Sequence, residues 1–288
     1  MEVVQTIVLV RQRVAAALAA GQSIALVPTM GALHAGHASL IDAARAGGGW
    51  VVVSIFVNPT QFGPGEDLSR YPRTLEADCE LCRAHGADLV FAPAVEEMYP
   101  PGGGLTEVSV EKLGDGLCGA SRPGHFAGVC TVVGKLFNIV LPDRAYFGAK
   151  DYQQSAIIRR MTADLNFPVQ IVVCPTVREP DGLAMSSRNR YLNPSHRRQA
   201  VALRDALVLA GEMIRSAHPP AGDVIEAMRR QIASEAPDGA IDYIAIVDPD
   251  TLQTVRNTDR RVLVALAVKI GATRLIDNIV VDSSSLAT

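Results

Sequence analysis

The chain has 288 residues, 48% hydrophobic and 20% charged, with 24 glycines, 17 prolines and a formal net charge of −3. That is enough apolar chain for a sizeable core in one large or two moderate domains, and it excludes collagen, coiled coil and intrinsic disorder. Its 27 basic against 30 acidic side chains create no broad field for phosphate backbones or anionic lipid, which argues against nucleic acid and membrane partners.

The apolar opening at residues 7–10 is far shorter than the roughly 20 residues of a membrane span. Glu2 stands where a signal peptide carries positive charge, so a soluble, cytoplasmic chain is expected. Five cysteines, scattered at 79, 82, 118, 130 and 174, do not suggest a disulfide framework and read as reduced thiols.

Short, nearly continuous apolar runs at 24–29, 50–57, 87–92, 144–147 and 169–173 read as strands buried on both faces. Amphipathic stretches at 37–47, 73–86, 127–141 and 151–165 read as the helices between them. This β–α alternation predicts an α/β fold with a doubly wound parallel sheet. After Pro175 a polar segment, 178–194, leads to helices at 195–217 and 222–235, then strands at 241–247, 262–269 and 273–281, with a hairpin turn at Gly271-Ala272. Helices followed by adjacent strands predict a smaller α+β domain. The expected division is a Rossmann-like domain over 1–176 and a C-terminal α+β lid over 177–288.

Three segments carry chemistry. The run VPTMGALHAGH, residues 27–37, passes from a strand end into a helix start and sets His34 and His37 on one side of the first turn. Free backbone N–H groups and the positive end of the helix dipole suit a triphosphate there, with a pair of capping or surface histidines as the local alternative, and the absence of a third ligand argues against zinc. The loop REPDGLAMSSRN, 178–189, pairs Ser186 and Ser187 with the Arg188 guanidinium, which suits either a clamp over phosphate oxygens or an interdomain linker. The segment YFGAKDYQQ, 146–154, places Lys150 and Asp151 at the carboxyl end of a strand, where open α/β sheets bind ligands. As local structure alone, Asp151 would be a helix cap and Lys150 a solvated charge.

Two weaker matches point elsewhere. Gly114-Asp-Gly-Leu-Cys-Gly119 fits G-x-G-x-x-G, but Pro123 and Gly124 follow where a dinucleotide fingerprint needs a helix. A single Cys79-x-x-Cys82 inside a helix reads as a structural pair of thiols rather than a zinc or redox site.

In these segments, together with SIFVNPTQF, YPRT, GHFAG, LFNIVLPD and TRLIDNI, the sequence closely resembles the pantothenate synthetase family across nearly its whole length. These are ATP-dependent ligases that join pantoate to β-alanine. The resemblance implies HIGH-type nucleotidyl transfer, with Met30, Gly31, His34, Gly36 and His37 in the ATP-binding turn and Met185, Ser186, Ser187 and Arg188 in place of the KMSKS loop. It implies Gly148 and Asp151 at the ribose, Lys150 at the α-phosphate, and Val177 and Met185 beside adenine. It further implies Gln61 and Gln154 on pantoate, Asn58 near the incoming amine, Asp78 holding Mg²⁺ through water, and a homodimer. His34, His37, Lys150 and Arg188 would be the catalytic set.

Family members commonly carry an acid where this chain has Ala35, Ala77 and Ala149. A site relying on Asp78 alone is expected to need more free magnesium, relieved by Ala77→Glu. Another HIGH-type nucleotidyltransferase, or a catalytically silent nucleotide binder, would share many of these features.

Overall fold

The computed structural model describes residues 1–102 and 104–282. The chain forms two compact units: Met1–Glu111, Arg122–Ala149 and Gln154–Val177 make the first, and Lys112–Ser121, Lys150–Gln153 and Arg178–Thr288 the second.

The first unit is built on a six-stranded sheet of β1 (Glu2–Val4), β2 (Ile24–Thr29), β3 (Trp50–Ile55), β4 (Leu89–Phe91), β5 (Arg144–Gly148) and β6 (Gln170–Cys174), in spatial order β1-β4-β3-β2-β5-β6. Every pairing is parallel. Parallel strands need helical crossovers, which cover both faces and explain the unbroken apolar runs. On one face, α2 (Ala35–Ala46) and α3 (Leu75–Ala84) bury Leu40, Ile41, Cys79 and Cys82 against Ala25, Val27, Val51, Val53 and Val90. On the other, α1 (Ile7–Ala19) packs on α6 (His125–Val140), and both contact β2. A four-residue α4 (Val95–Met98) follows β4, and α7 (Tyr152–Asp164) joins β5 to β6.

The sequence reading missed β1 and α1. The latter buries only Val10, Val14 and Ala17 in an alanine-rich stretch, so its apolar face is thin, although Thr6 caps it by accepting a hydrogen bond from the Leu9 amide.

In the second unit β7 (Gly239–Val247), β8 (Val262–Ile270) and β9 (Thr273–Val281) form an antiparallel sheet, and the β8–β9 hairpin turns at Gly271, φ +57°, as expected. Helices α9 (Ala202–Ala217) and α10 (Ala221–Glu235) bury Leu203, Leu207, Ile214, Val224 and Met228 against Val264, Leu266 and Val268 of β8. The helix expected over 195–217 is two: α8 (Pro194–Gln199) ends and α9 begins because bonding tightens to an i→i+3 pattern across Ala200 and Val201. The four-residue α5 (Cys118–Ser121) closes the 112–121 segment. Among the described residues no helix is long and apolar enough to cross a membrane.

Candidate functional site

The sheet reverses its winding between β2 and β5, since β3 lies on one side of β2 and β6 on the far side of β5. Open α/β sheets bind ligands at the carboxyl ends of strands flanking such a switch. Both β2 and β5 end there in segments singled out from the sequence.

After β2 the chain must turn sharply into α2. Gly31 takes φ +81° and Ala32 the left-handed φ +50°, a conformation costly for a residue with a Cβ. Asp78 of α3, 3% exposed, holds the turn: Oδ2 accepts from the Ala32 amide at 3.0 Å, and Oδ1 from the Leu33 amide at 2.8 Å and Thr74 Oγ1 at 3.2 Å. A Cβ on Gly31 would meet Asp78 Oδ2 at 2.9 Å, so the glycine serves both dihedral and clearance. From the strand side, Thr29 Oγ1 donates to the Ser54 carbonyl and accepts from the Gly31 amide.

His34 is the N-cap of α2. Its Nδ1 accepts from the Gly36 amide at 3.1 Å, while His37 Nδ1 accepts from the His34 amide at 3.4 Å. A nitrogen that accepts is unprotonated, so in the neutral rings the proton sits on Nε2. The centroids lie 4.2 Å apart, and the first turn of α2 contains no acidic residue. Two imidazoles at an uncompensated helix N-terminus form an anion-binding arrangement.

Beyond β3, Asn58 and Gln61 bracket a 3₁₀ turn, Pro59–Gln61. Asn58 is 1% exposed and its polar atoms are committed: Nδ2 donates to Gln61 Oε1 and the Gly128 carbonyl, each at 3.1 Å, while Oδ1 accepts from Thr60 Oγ1 and Tyr99 Oη, each at 2.9 Å. Asn58 therefore orders this turn through hydrogen bonds within the protein. Burial raises the Tyr99 hydroxyl above its ordinary pKa. Gln61 Nε2 donates to Met30 Sδ at 3.1 Å, which joins the β2 and β3 ends. The helix α6 approaches this turn so closely that a Cβ on Gly128 would lie 2.5 Å from the Thr60 carbonyl oxygen.

Gly148 is the last residue of β5, with open space where a Cβ would be. Gln154 lies on α7 and Val177 just past β6, both partly exposed. Met30, Gly31, His34, Gly36, His37, Asn58, Gln61, Asp78, Gly148, Gln154 and Val177 thus belong to the first unit, and Lys150, Asp151, Met185, Ser186, Ser187 and Arg188 to the second.

In the second unit Lys150 Nζ stands 3.8 Å from Asp151 Oδ2, and the Lys150 carbonyl accepts from Asn278 Nδ2. The 178–189 loop is no loose linker. Arg178 makes a two-point ion pair with Asp277 at 2.6 and 3.0 Å, Arg197 pairs with Glu179 and Asp181, and Asn189 Nδ2 donates to Glu179 Oε1. Ser186 Oγ caps the 3₁₀ turn Ser187–Tyr191 by accepting from the Arg188 amide at 3.2 Å. The G-x-G-x-x-G segment wraps Gln153, whose Nε2 donates to the Leu113 and Gly116 carbonyls and whose Oε1 accepts from the Cys118 amide. It is a folded loop rather than a dinucleotide turn. Burial raises the Cys79 thiol and pushes Cys82 up to about 12, as fits structural thiols.

Magnesium was expected at Asp78. That carboxylate is unsuited to a hydrated metal because it is buried and anchors the turn, whereas Mg²⁺ takes open carboxylate oxygens together with waters or phosphates. Among the described residues no group of three or more His, Cys, Asp or Glu side chains could hold a metal. The sequence reading also gave no role to Tyr99, Arg122 or His125. Arg122 and His125 stand at the start of an apolar helix, and that placement is the one signal available.

The family model described as pantoate-beta-alanine ligase matches residues 2–280. A relative named pantothenate synthetase from Moorella thermoacetica is 59% identical over 98% of this chain and 99% of its own. A crystal structure of pantothenate synthetase from Thermus thermophilus superposes with TM-score 0.90 at 46% identity, covering 97% of this chain and 99% of that one. A pantoate-beta-alanine ligase from Francisella tularensis, complexed with beta-gamma ATP and beta-alanine, has TM-score 0.79 at 34% identity and 97% coverage of both chains. The chain belongs to the pantoate-beta-alanine ligase family.

Proposed function

We propose that this enzyme condenses pantoate with β-alanine at the expense of ATP, through a pantoyl-adenylate. The pantoate carboxylate attacks the α-phosphorus and pyrophosphate leaves; the β-alanine amine then attacks the acyl carbon, AMP leaves and the amine gives up its proton. The observation that carries the reading is the β2–α2 turn, where His34 and His37 cap the start of α2 and Met30 of the same turn accepts from the Gln61 carboxamide, a group suited to a small acid.

Adenylyl transfer asks the protein mainly for positioning and charge cancellation. We assign His34 and His37 to the phosphate oxygens, with Met30, Gly31 and Gly36 shaping the turn, and Gly148 and Val177 to the nucleoside. From the second unit we assign Lys150 to the α-phosphate, Asp151 to the ribose, and Met185, Ser186, Ser187 and Arg188 to the remaining nucleotide contacts. Gln61 and Gln154 take pantoate, and Asn58 acts through Gln61. Residues 1–176 would carry pantoate and part of the nucleotide site, and 177–288 would form the accessory domain that supplies Met185 to Arg188. Magnesium would arrive on the nucleotide's own phosphates. Five thiols without a disulfide suit a reducing cytoplasm, and a homodimer is the proposed assembly.

An assay of AMP release with each substrate omitted in turn tests the reading. AMP must require all three substrates, and ATP with pantoate alone must yield bound pantoyl-adenylate and one equivalent of pyrophosphate. Pyrophosphate release that strictly needs β-alanine would refute the two-step order.

A further inference from the structure

The Gln61 backbone carbonyl accepts two hydrogen bonds from the segment that opens α6, one from His125 Nδ1 at 2.8 Å and one from Arg122 Nη2 at 3.3 Å. A carbonyl cannot donate, so the proton of the neutral His125 ring sits on Nδ1. Its Nε2 is left to accept, and Arg122 Nη1 lies 2.9 Å away. Arg122 is itself fixed by a fork-on-fork pair with Glu66, Nε to Oε1 at 2.7 Å and Nη2 to Oε2 at 2.6 Å. Each link dictates the orientation of the next, from Glu66 through Arg122 and His125 to Gln61.

The carboxamide end of Gln61 is fixed separately. Asn58 Oδ1 accepts from Thr60 and Tyr99, so Asn58 Nδ2 must be the donor that faces Gln61 Oε1. The amide cannot flip without opposing two donors. Gln61 Nε2 therefore points toward Met30, where it donates to a thioether sulfur, a weak acceptor that an incoming oxygen readily replaces.

We infer that Glu66, Arg122 and His125 are positioning residues for the first substrate. None of the three touches it; together they fix the Gln61 backbone so that Nε2 offers its N–H groups to an oxygen of a small hydroxy acid. The inference rests on the proposed role of Gln61 as the acid's partner.

His125→Leu removes both ring nitrogens at similar volume, whereas His125→Asn keeps an N–H at the δ position that can still reach the Gln61 carbonyl. With one positioning hydrogen bond lost, His125→Leu is expected to raise the pantoate KM about tenfold while kcat and the ATP KM stay within about twofold. His125→Asn should recover to within about threefold of the parent, because the bond to the carbonyl returns. In a Gln61→Ala background, His125→Leu should shift the pantoate KM by less than about twofold, because the path ends at a missing carboxamide. Additive effects of the two changes, or a parallel rise in the ATP KM, would overturn the relay. If His125→Leu does not fold, Glu66→Gln gives the same reading through a weakened fork, with a pantoate KM raised about threefold. Nitrogen-15 NMR of the parent protein must show His125 as the Nδ1–H tautomer, and an Nε2–H ring would overturn the relay whatever the kinetics. A parent enzyme that neither binds nor turns over pantoate would sink the functional reading instead, and the ring spectrum would still decide the hydrogen-bond chain.

Discussion

Replacing Asp78 tests whether that carboxylate serves the turn or a metal. It accepts two buried backbone amides and a hydroxyl at 2.8 to 3.2 Å. Hydrogen bonds to a charged acceptor contribute about 1.5–3 kcal/mol each, and a buried donor left unpaired costs about 1–3 kcal/mol. Asp78→Ala orphans the Ala32 and Leu33 amides and releases Ala32 from a left-handed conformation whose relief returns about 1 kcal/mol. The expected loss is about 3–5 kcal/mol of stability, against about 1–3 kcal/mol for Asp78→Asn, which keeps one acceptor oxygen. Urea unfolding reads the totals, and hydrogen exchange at the Ala32 and Leu33 amides reads the cause, since these should lose protection before the rest of the sheet. Because His34 follows directly, activity should fall with the turn and should not return with added magnesium. A variant as stable as the parent, or one rescued by excess Mg²⁺, would refute the anchoring role. Ala77, exposed on α3 beside the inward-facing Asp78, does not share that position, so the sequence-based expectation reverses: Ala77→Glu should leave the magnesium titration superimposable on the parent's.

His37→Ala, and less severely His34→Ala, should lower kcat about 10²- to 10³-fold, as when a donor to growing transition-state charge is removed; steady-state kinetics with a changed KM alone would refute this. Arg188→Lys should reduce kcat/KM for ATP, because an ammonium cannot reproduce a planar two-point contact, and full activity would mean that the loop supplies only net charge. Gly128→Ala should raise the pantoate KM, since its Cβ would lie 2.5 Å from the Thr60 carbonyl oxygen, and an unchanged KM would show that α6 can retreat without moving Gln61. Burial acts to raise the Glu66 carboxyl, but the Arg122 hydrogen bonds and charge outweigh it and hold the group below its ordinary 4.5. The stability this provides is full above that value and is lost as pH falls through the lowered folded pKa, so urea midpoints from about pH 5 to pH 3 should fall less for Glu66→Gln than for the parent.

The parallel sheet was legible because strands buried on both faces must be apolar throughout, and residues 24–29 and 50–55 leave little else to form. The β8–β9 hairpin was legible from Gly271 between two apolar runs. The first helix was not, because its buried face is two valines and an alanine. In the site, the histidine pair at the strand-to-helix junction was visible as a pattern with capping among its readings, but which ring nitrogen accepts from which amide was not. Asp78, Asn58 and His125 mark the deeper limit. Each binds backbone atoms of a segment distant in sequence, and backbone atoms leave no mark in the identity of the residue that carries them. A sequence shows that a polar side chain is present, while only the fold shows whether its oxygens are open to a ligand or already taken.

That distinction also bears on the three alanines, which could suggest a silent nucleotide binder. Acids matter at such positions if they bind a cation or set the local field. Ala35 is the first residue of α2, and an acid there would offset the positive end of the helix dipole, to which the proposed function assigns the phosphates. Alanine leaves that end uncompensated, which favours phosphate rather than weakening its binding. Ala77 lies on the exposed side of α3, and Ala149 precedes Lys150, whose nearest carboxylate, Asp151, is retained at 3.8 Å. None of the three replaces a group that donates to, or attacks, a reacting atom. Neutral side chains at these places would lower the negative charge around a bound triphosphate, so the chemistry proposed for His34, His37, Lys150 and Arg188 does not call for them.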